Sequence, residues 1–298
     1  KRKDMDIPYG TFFKKMRELS QVNVSQLSGS WHPLKQRIVP IPTNTVQGTV
    51  KDDMILITGV QDFQFISEGT MIEGDPLPDA VGVQYPWAQH PVRKTTHEIE
   101  IQDFYIDKYP VTNREFKRFL DETNYHPEDD YNFLKDWVEG MYPEGWGNKP
   151  VTWISIEDAR AYATWAGKRL PHEWEWQYAA QGPDLNLYPW GNVMDSTRIP
   201  RLDTGPDMRP PTDVDEFPEG RSFFGVVDMV GNVWQWTDEY EDEHTRAAVL
   251  KGGGYYRTSG SDWYFPRPLE LNKYNKYLLM APSLDRSGAI GFRCVRDK

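Results

Sequence analysis

Asp228-Met229-Val230-Gly231-Asn232-Val233-Trp234-Gln235-Trp236-Thr237 places two indoles two positions apart, directly after a glycine and an asparagine. Trp234 and Trp236 are large rings suited to packing under loops, and Gly231 lets the backbone turn or approach a neighbour closely. The chain before this segment has the same irregular character. Residues 183–225 carry Pro183, Pro189, Pro200, Pro206, Pro210, Pro211 and Pro218, with many Gly and Asp and almost no periodicity. So long a stretch without helix or strand is foreign to most compact domains. It points to a fold that tolerates irregular backbone, with an ion to satisfy its carbonyls.

Further upstream the punctuation is regular. Thr112 and Glu115 make a capping box ahead of Phe116, Phe119 and Leu120, an apolar face at helical spacing. Ser155 opens a second helix with Asp158 at the reciprocal position. Ile156, Ala159, Tyr162, Ala163 and Ala166 line it, and Gly167 stops it. Pro171 suits the first turn of a third helix, His172 to Ala180. Strands are expected at Met54–Ile57, at Phe63–Ile66, and as one alternating run over His97–Ile106 that ends before Tyr109-Pro110. Near the start, Tyr9 to Leu19 reads as an amphipathic helix with Phe12, Phe13, Met16 and Leu19 on one side. A connector rich in Ser, Asn, Gln, Thr and Pro follows it. The expected organisation is an N-terminal arm or linker over 1–50 and an α+β domain over 51–298, with short strands, a few helices and long loops.

Composition narrows the function classes. The 298 residues include 45 acidic and 34 basic side chains, for a net charge of -11. Leu, Ile, Val and Phe make up about a fifth of the chain, near the level at which disorder becomes the better reading. The 12 Trp, 16 Tyr and 13 Phe supply the missing apolar surface, since each ring can bury about 150–250 Å². A single Cys excludes an intrachain disulfide and a Cys-rich zinc site. No stretch approaches the ~20 apolar residues of a membrane span, and an acidic chain without a Lys/Arg run is a poor partner for nucleic acid. The chain opens at Lys1 without an apolar signal region and is expected to be a mature form or a unit of a longer protein.

Seven motifs, in order, resemble the formylglycine-generating enzyme (sulfatase-modifying factor) family. They are Phe104–Asn113, Pro150–Ser155, Ala166–Ala180, Tyr188–Asn192, Asp228–Thr237, Lys251–Tyr255 and Gly291–Cys294, and together they span residues 51–298. The resemblance implies a variant of the C-type lectin fold. Its Trp and Gly signatures have structural roles, and Arg169 and Arg293 are expected to brace loop carbonyls.

The same resemblance bears on chemistry. The family's oxidase activity converts a substrate Cys to formylglycine, using copper held by two thiolates a short distance beyond Lys-Gly-Gly. Here that stretch, Gly254 to Pro268, contains no Cys. Thiolate is the soft ligand that Cu(I) selects, so copper and formylglycine synthesis are not expected. Cys294 belongs to the closing Gly-Phe-Arg-Cys motif, where a buried structural thiol is expected. A second branch, the thiohistidine sulfoxide synthases, holds iron with His-x3-His-x-Glu. None of His32, His90, His97, His126, His172 and His244 makes that spacing. The family's calcium site maps by position onto the Asp228 side chain, the Gly231 and Val233 carbonyls and the Gln235 side-chain oxygen. Relative to the usual Asn and Glu, the charge has moved from the last ligand to the first. One negative charge and all-oxygen ligation suit structural Ca²⁺.

The expected ligand pocket lies where the thiols would be. Tyr255, Trp263 and Tyr264 offer ring faces, while Arg257, Asp262, Arg267 and Glu270 offer polar forks, a set suited to a glycan, peptide or other small-molecule ligand. The segment from Glu270 to Arg286 exceeds the family's spacing and is expected to form a lid or interface. Three functions compete: a catalytically degenerate binding or interaction module, a metal-dependent oxidoreductase using a non-thiolate site with His172, His244, Asp262 or Glu270, and a structural subunit of a cell-envelope assembly. The chain is expected outside the cytoplasm, whether extracellular, periplasmic or at the cell surface, with other domains of a longer chain as partners.

Overall fold

The computed structural model describes residues 7–22, 54–70, 92–201, 209–240, 247–255, 269–279 and 282–298. The chain divides into two units, Lys1–Pro40 and Ile41–Lys298. In the first, the amphipathic segment forms α1 (Ile7–Ser20), with Tyr9, Phe12, Phe13 and Met16 exposed.

The described residues of the second unit open with β1 (Met54–Ile57) and β2 (Val60–Thr70), followed by β3 (Val92–Ile101) and β4 (Phe104–Asp107). The single strand expected over His97–Ile106 is therefore two strands in different sheets. Asp103 is the cause: its Oδ1 accepts the Gly59 amide at 2.8 Å and stops the ladder. At Gly59 the backbones come so close that a Cβ would stand 2.2 Å from the Ile101 carbonyl oxygen. The chain turns there, and β4 pairs with β1 instead.

Capping chemistry starts the helices. α2 (Asn113–Thr123) carries the expected box, with Thr112 accepting the Glu115 amide and Glu115 accepting the Thr112 amide. α3 (Ile156–Trp165) repeats it through Ser155 and Asp158, and Gly167, at φ +69°, turns the chain out of the helix. α4 (Glu173–Gln181) starts later than Pro171 suggests. His172 is the cap, its amide donating to Glu175 at 2.8 Å, while the Pro171 carbonyl accepts the Asp238 amide at 2.9 Å.

After two 3-10 turns (Ser196–Arg198 and Pro218–Gly220) come β5 (Trp234–Tyr240), β6 (Ala247–Lys251), β7 (Lys273–Leu278), α5 (Pro282–Asp285), β8 (Ile290–Gly291) and β9 (Val295–Asp297). They complete a three-stranded sheet, β1-β4-β9, and a six-stranded sheet, β3-β2-β7-β6-β5-β8. The segment expected as a lid is structural instead. β7 runs inside the larger sheet between β2 and β6, and Arg286 is buried, ion-paired to Asp158 at 2.9 Å and donating to the Asp129 and Tyr131 carbonyls.

Two aromatic-rich clusters form the core. In one, Phe116, Phe119 and Tyr162 from α2 and α3 pack with Trp236, Phe292 and Cys294. The Phe116 and Tyr162 rings stack at 5.7 Å, and Phe292 meets both edge-on. The other joins Phe63, Phe104 and Ile106 to Trp176 and Tyr178 of α4 and to Met229 and Val230. A buried polar network ties α4 to β2 and β6. Lys251 Nζ donates to Gln177 at 2.9 Å and pairs with Glu173 at 3.2 Å, and Ser67 donates to the same Glu173 oxygen at 2.7 Å.

Truncating Phe116 removes the ring at the centre of the first cluster. Phe116→Ala is expected to cost about 3–5 kcal/mol of unfolding free energy in urea titration. Phe12→Ala, on the exposed face of α1, is expected to cost under about 0.5 kcal/mol. Equal losses would mean that the aromatic core does not carry the stability.

Candidate functional site

The loop from Asp228 to Gln235 lies on the seam between the two clusters, and one buried guanidinium organises it. All five N–H groups of Arg293 are engaged. Nε donates to Gln235 Oε1 at 2.7 Å, Nη1 to the Asp107 and Lys108 carbonyls at 3.0 and 3.3 Å, and Nη2 to the Val227 and Asp228 carbonyls, both at 2.9 Å. The carbonyl brace expected of Arg293 is thus present. Arg169 also donates to a carbonyl, that of Leu170 at 3.2 Å, and in addition ion-pairs with the Glu175 and Asp297 carboxylates at 2.6 Å. Burial pulls the Arg293 pKa down to about 10, against the charges of Asp228 and Asp107.

The four positions expected to hold calcium are all buried in this loop. Asp228 takes a left-handed backbone, φ +58°, and its carboxylate accepts Asn232 Nδ2 at 2.8 Å. Burial pushes its pKa up to about 7, while Asn232 and Arg293 pull it down. Gly231, at φ +87°, donates its amide to the Gly252 and Gly253 carbonyls. Gln235 does not offer its oxygen to a cation. Oε1 already accepts Trp176 Nε1 at 2.9 Å as well as Arg293, and the amide nitrogen faces the loop, donating to the Asp228 and Met229 carbonyls at 3.1 and 3.3 Å. The residue set therefore does not fit calcium at its fourth ligand. Among the described residues, no group of three or more His, Cys, Asp and Glu is placed to hold a metal.

Of the residues expected to bind a ligand, two are described. The Tyr255 ring is buried, its hydroxyl donates to the Arg209 carbonyl, and the Arg209 guanidinium lies 4.2 Å from the ring centroid. Glu270 is half-buried and pairs with Lys273 at 3.0 Å. Arg257, Asp262, Trp263, Tyr264 and Arg267 lie outside the described residues, as does His244.

Two arrangements carry no sequence motif of their own. His172 lies flat on Trp174, ring centroids 4.5 Å apart, with Nδ1 2.5 Å from Glu239 at the far end of β5. Burial opposes the charged ring, but the Glu239 hydrogen bond and the charges of Glu175 and Glu239 win, and the pKa is raised. Separately, an open cleft of about 270 Å³ is lined by Trp190, Arg198, Glu219, Arg221 and Phe223. Phe223 is 64% exposed, while Trp190 stacks on Tyr188 at 5.6 Å. Sequence spacing cannot show such a cleft, because its walls are 33 residues apart in the stretch without periodicity.

This architecture and its Trp-Gly loops define a formylglycine-generating-enzyme type of domain. The sulfatase-modifying factor enzyme 1-like domain matches residues 50–298, and the chain belongs to that family. It is 31% identical to the formylglycine-generating enzyme of Mus musculus, covering 74% of each chain. It is 32% identical to the inactive C-alpha-formylglycine-generating enzyme 2 of Bos taurus, over 54% of this chain and 68% of that one. Among solved structures, PvdO from Pseudomonas aeruginosa superposes with a TM-score of 0.53 at 22% identity, covering 82% of this chain and 94% of its own, a likeness of fold.

The His172–Glu239 pair has a defined pH signature. A raised folded pKa contributes stability that is complete below the ordinary value of 6.5 and is lost as pH rises through the folded value. Glu239→Gln is expected to flatten this part of the profile, so the melting temperatures of wild type and variant differ most below pH 6.5 and converge as pH rises above it. A constant gap as pH rises would show that the pair does not titrate as described.

Proposed function

We propose that this chain keeps the family scaffold, does not make formylglycine, and works as a ligand-binding or interaction module for a glycan or peptide outside the cytoplasm. The state of its only thiol carries this reading. Cys294 is fully buried, its amide donates to Asp107 at 2.9 Å, and burial raises its pKa well above the ordinary value. A thiol kept protonated inside the core is neither a nucleophile nor a soft metal ligand. The stretch beyond Lys251-Gly252-Gly253, where the family resemblance puts two thiolates, has none. The similarity to a relative named as inactive is in keeping with this reading.

The residue types between Tyr255 and Glu270 suit recognition rather than redox chemistry. Trp and Tyr faces pack on the apolar face of a sugar ring or on peptide side chains. Arg forks take carboxylates in pairs, and Asp and Glu accept hydroxyl or amide protons.

The test combines turnover, metal content and binding on the purified chain. With added copper and a Cys-containing peptide, no oxygen uptake above background is expected, and elemental analysis is expected to find no stoichiometric copper or iron. Glycan- and peptide-array hits are expected to bind saturably, with affinity falling at least about tenfold in Trp263→Ala or Arg267→Ala. Peptide-dependent oxygen uptake, or one equivalent of redox metal lost on Asp262→Ala, would overturn the reading in favour of an oxidoreductase.

A further inference from the structure

The loop that the family closes around an ion is closed here by groups of the chain itself. The direction of one amide decides this. Gln235 Oε1 faces Trp176 Nε1 at 2.9 Å and Arg293 Nε at 2.7 Å, two atoms that can only donate. A flipped amide would set its NH₂ against both donors, so the oxygen is held toward the core. Both of its lone pairs are then used. The nitrogen is left facing the loop, where it donates to the carbonyls of Asp228 and Met229. An NH₂ group has no lone pair to offer a hard cation, which takes oxygen ligands at about 2.3–2.6 Å.

Charge points the same way. Arg293 is buried with all five donors spent within the chain, and its guanidinium touches the very oxygen that would be the fourth ligand. A carboxylate at position 235 would separate the guanidinium from a divalent ion. A neutral amide does not, and like charges a few ångströms apart in a buried site repel strongly. The Asp228 carboxyl lies at the other end of the loop, already bonded to Asn232. The backbone is fitted to the amide as well. Gly252, at φ +92°, passes so close that a Cβ would stand 2.4 Å from the Met229 carbonyl oxygen and 3.6 Å from Gln235 Nε2.

We propose that the Asp228–Gln235 loop takes no calcium, because the Gln235 amide and the Arg293 guanidinium supply from within the chain the positive ends that a bound ion would supply. One atom separates this arrangement from a metal site. Gln235→Glu keeps the oxygen that Trp176 and Arg293 need and turns the other atom from donor to acceptor, facing the Asp228 and Met229 carbonyls. Three oxygens then converge without a proton between them, a demand for a cation.

The experiment measures thermal unfolding of the full chain in excess chelator and in excess calcium chloride. The wild-type melting temperature is expected to agree within about 1 °C between the two. Gln235→Glu is expected to melt lower than wild type in chelator and to recover by about 5 °C or more in calcium. A variant insensitive to calcium would overturn the proposal. Should Gln235→Glu not fold, the native chain still decides. With ¹⁵N-glutamine labelling, the Gln235 side-chain NH₂ signals are expected to be protected from exchange and unmoved by calcium. Exchange-broadened signals that shift on calcium addition would show the amide oxygen turned to a metal, against the proposal. The outcome is independent of whether the chain binds a glycan or peptide, so failure here leaves the proposed function standing.

Discussion

The fold depends on one guanidinium in the core. Arg293 follows Phe292 of one aromatic cluster and precedes Cys294 and Val295, the latter in the other cluster. From that position its five N–H groups reach the end of β4, the stretch before the Asp228 loop, and the Gln235 side chain on β5. Leaving a charge this deep unpaired would cost several kcal/mol. Here each donor has an acceptor, so the desolvation cost is offset by bonds that fix three irregular segments at once. A lysine could carry the charge but not the planar fork.

That constraint explains how the irregular stretches among the described residues are held in place. The aromatic clusters supply the apolar burial, and buried polar groups supply the geometry. Besides Arg293, Arg286 spans from the Asp158 capping box to the carbonyls of Asp129 and Tyr131. Lys251 joins β6 to α4, and Lys168 pairs with the buried Asp107. Each cation is matched by acceptors from segments distant in sequence, which pins loops that have no ladder of their own. These contacts lie within the frame itself, from β4 and α3 to the closing Gly291–Cys294 motif.

Much of this was legible in the sequence. The Thr112/Glu115 and Ser155/Asp158 boxes and the Gly167 stop are local signals, and local signals fix local structure. The ordered motifs gave the family and the α+β class. Failures arose where a distant residue decides. Asp103 breaks an alternating run by bonding Gly59 across the chain, and β7 is drawn into the large sheet by β2 and β6 rather than left as a lid. At the Asp228–Gln235 loop a count of charges does not say which way an amide points. That direction is set by Trp176 and Arg293, 59 and 58 residues away. The His172–Glu239 pair, 67 residues apart, and the Trp190–Phe223 cleft were invisible for the same reason.

Residue-resolved amide hydrogen exchange on Arg293→Lys tests the role of the guanidinium most directly. The variant keeps the charge and much of the volume while losing the fork. The amides of residues 227–235 are expected to lose protection by about tenfold or more, as the loss of several charge-assisted bonds requires, while Phe116 and Phe119 in α2 exchange as in wild type. Protection in residues 227–235 equal to that of the wild type would contradict the claim that Arg293 holds the loops of this fold together.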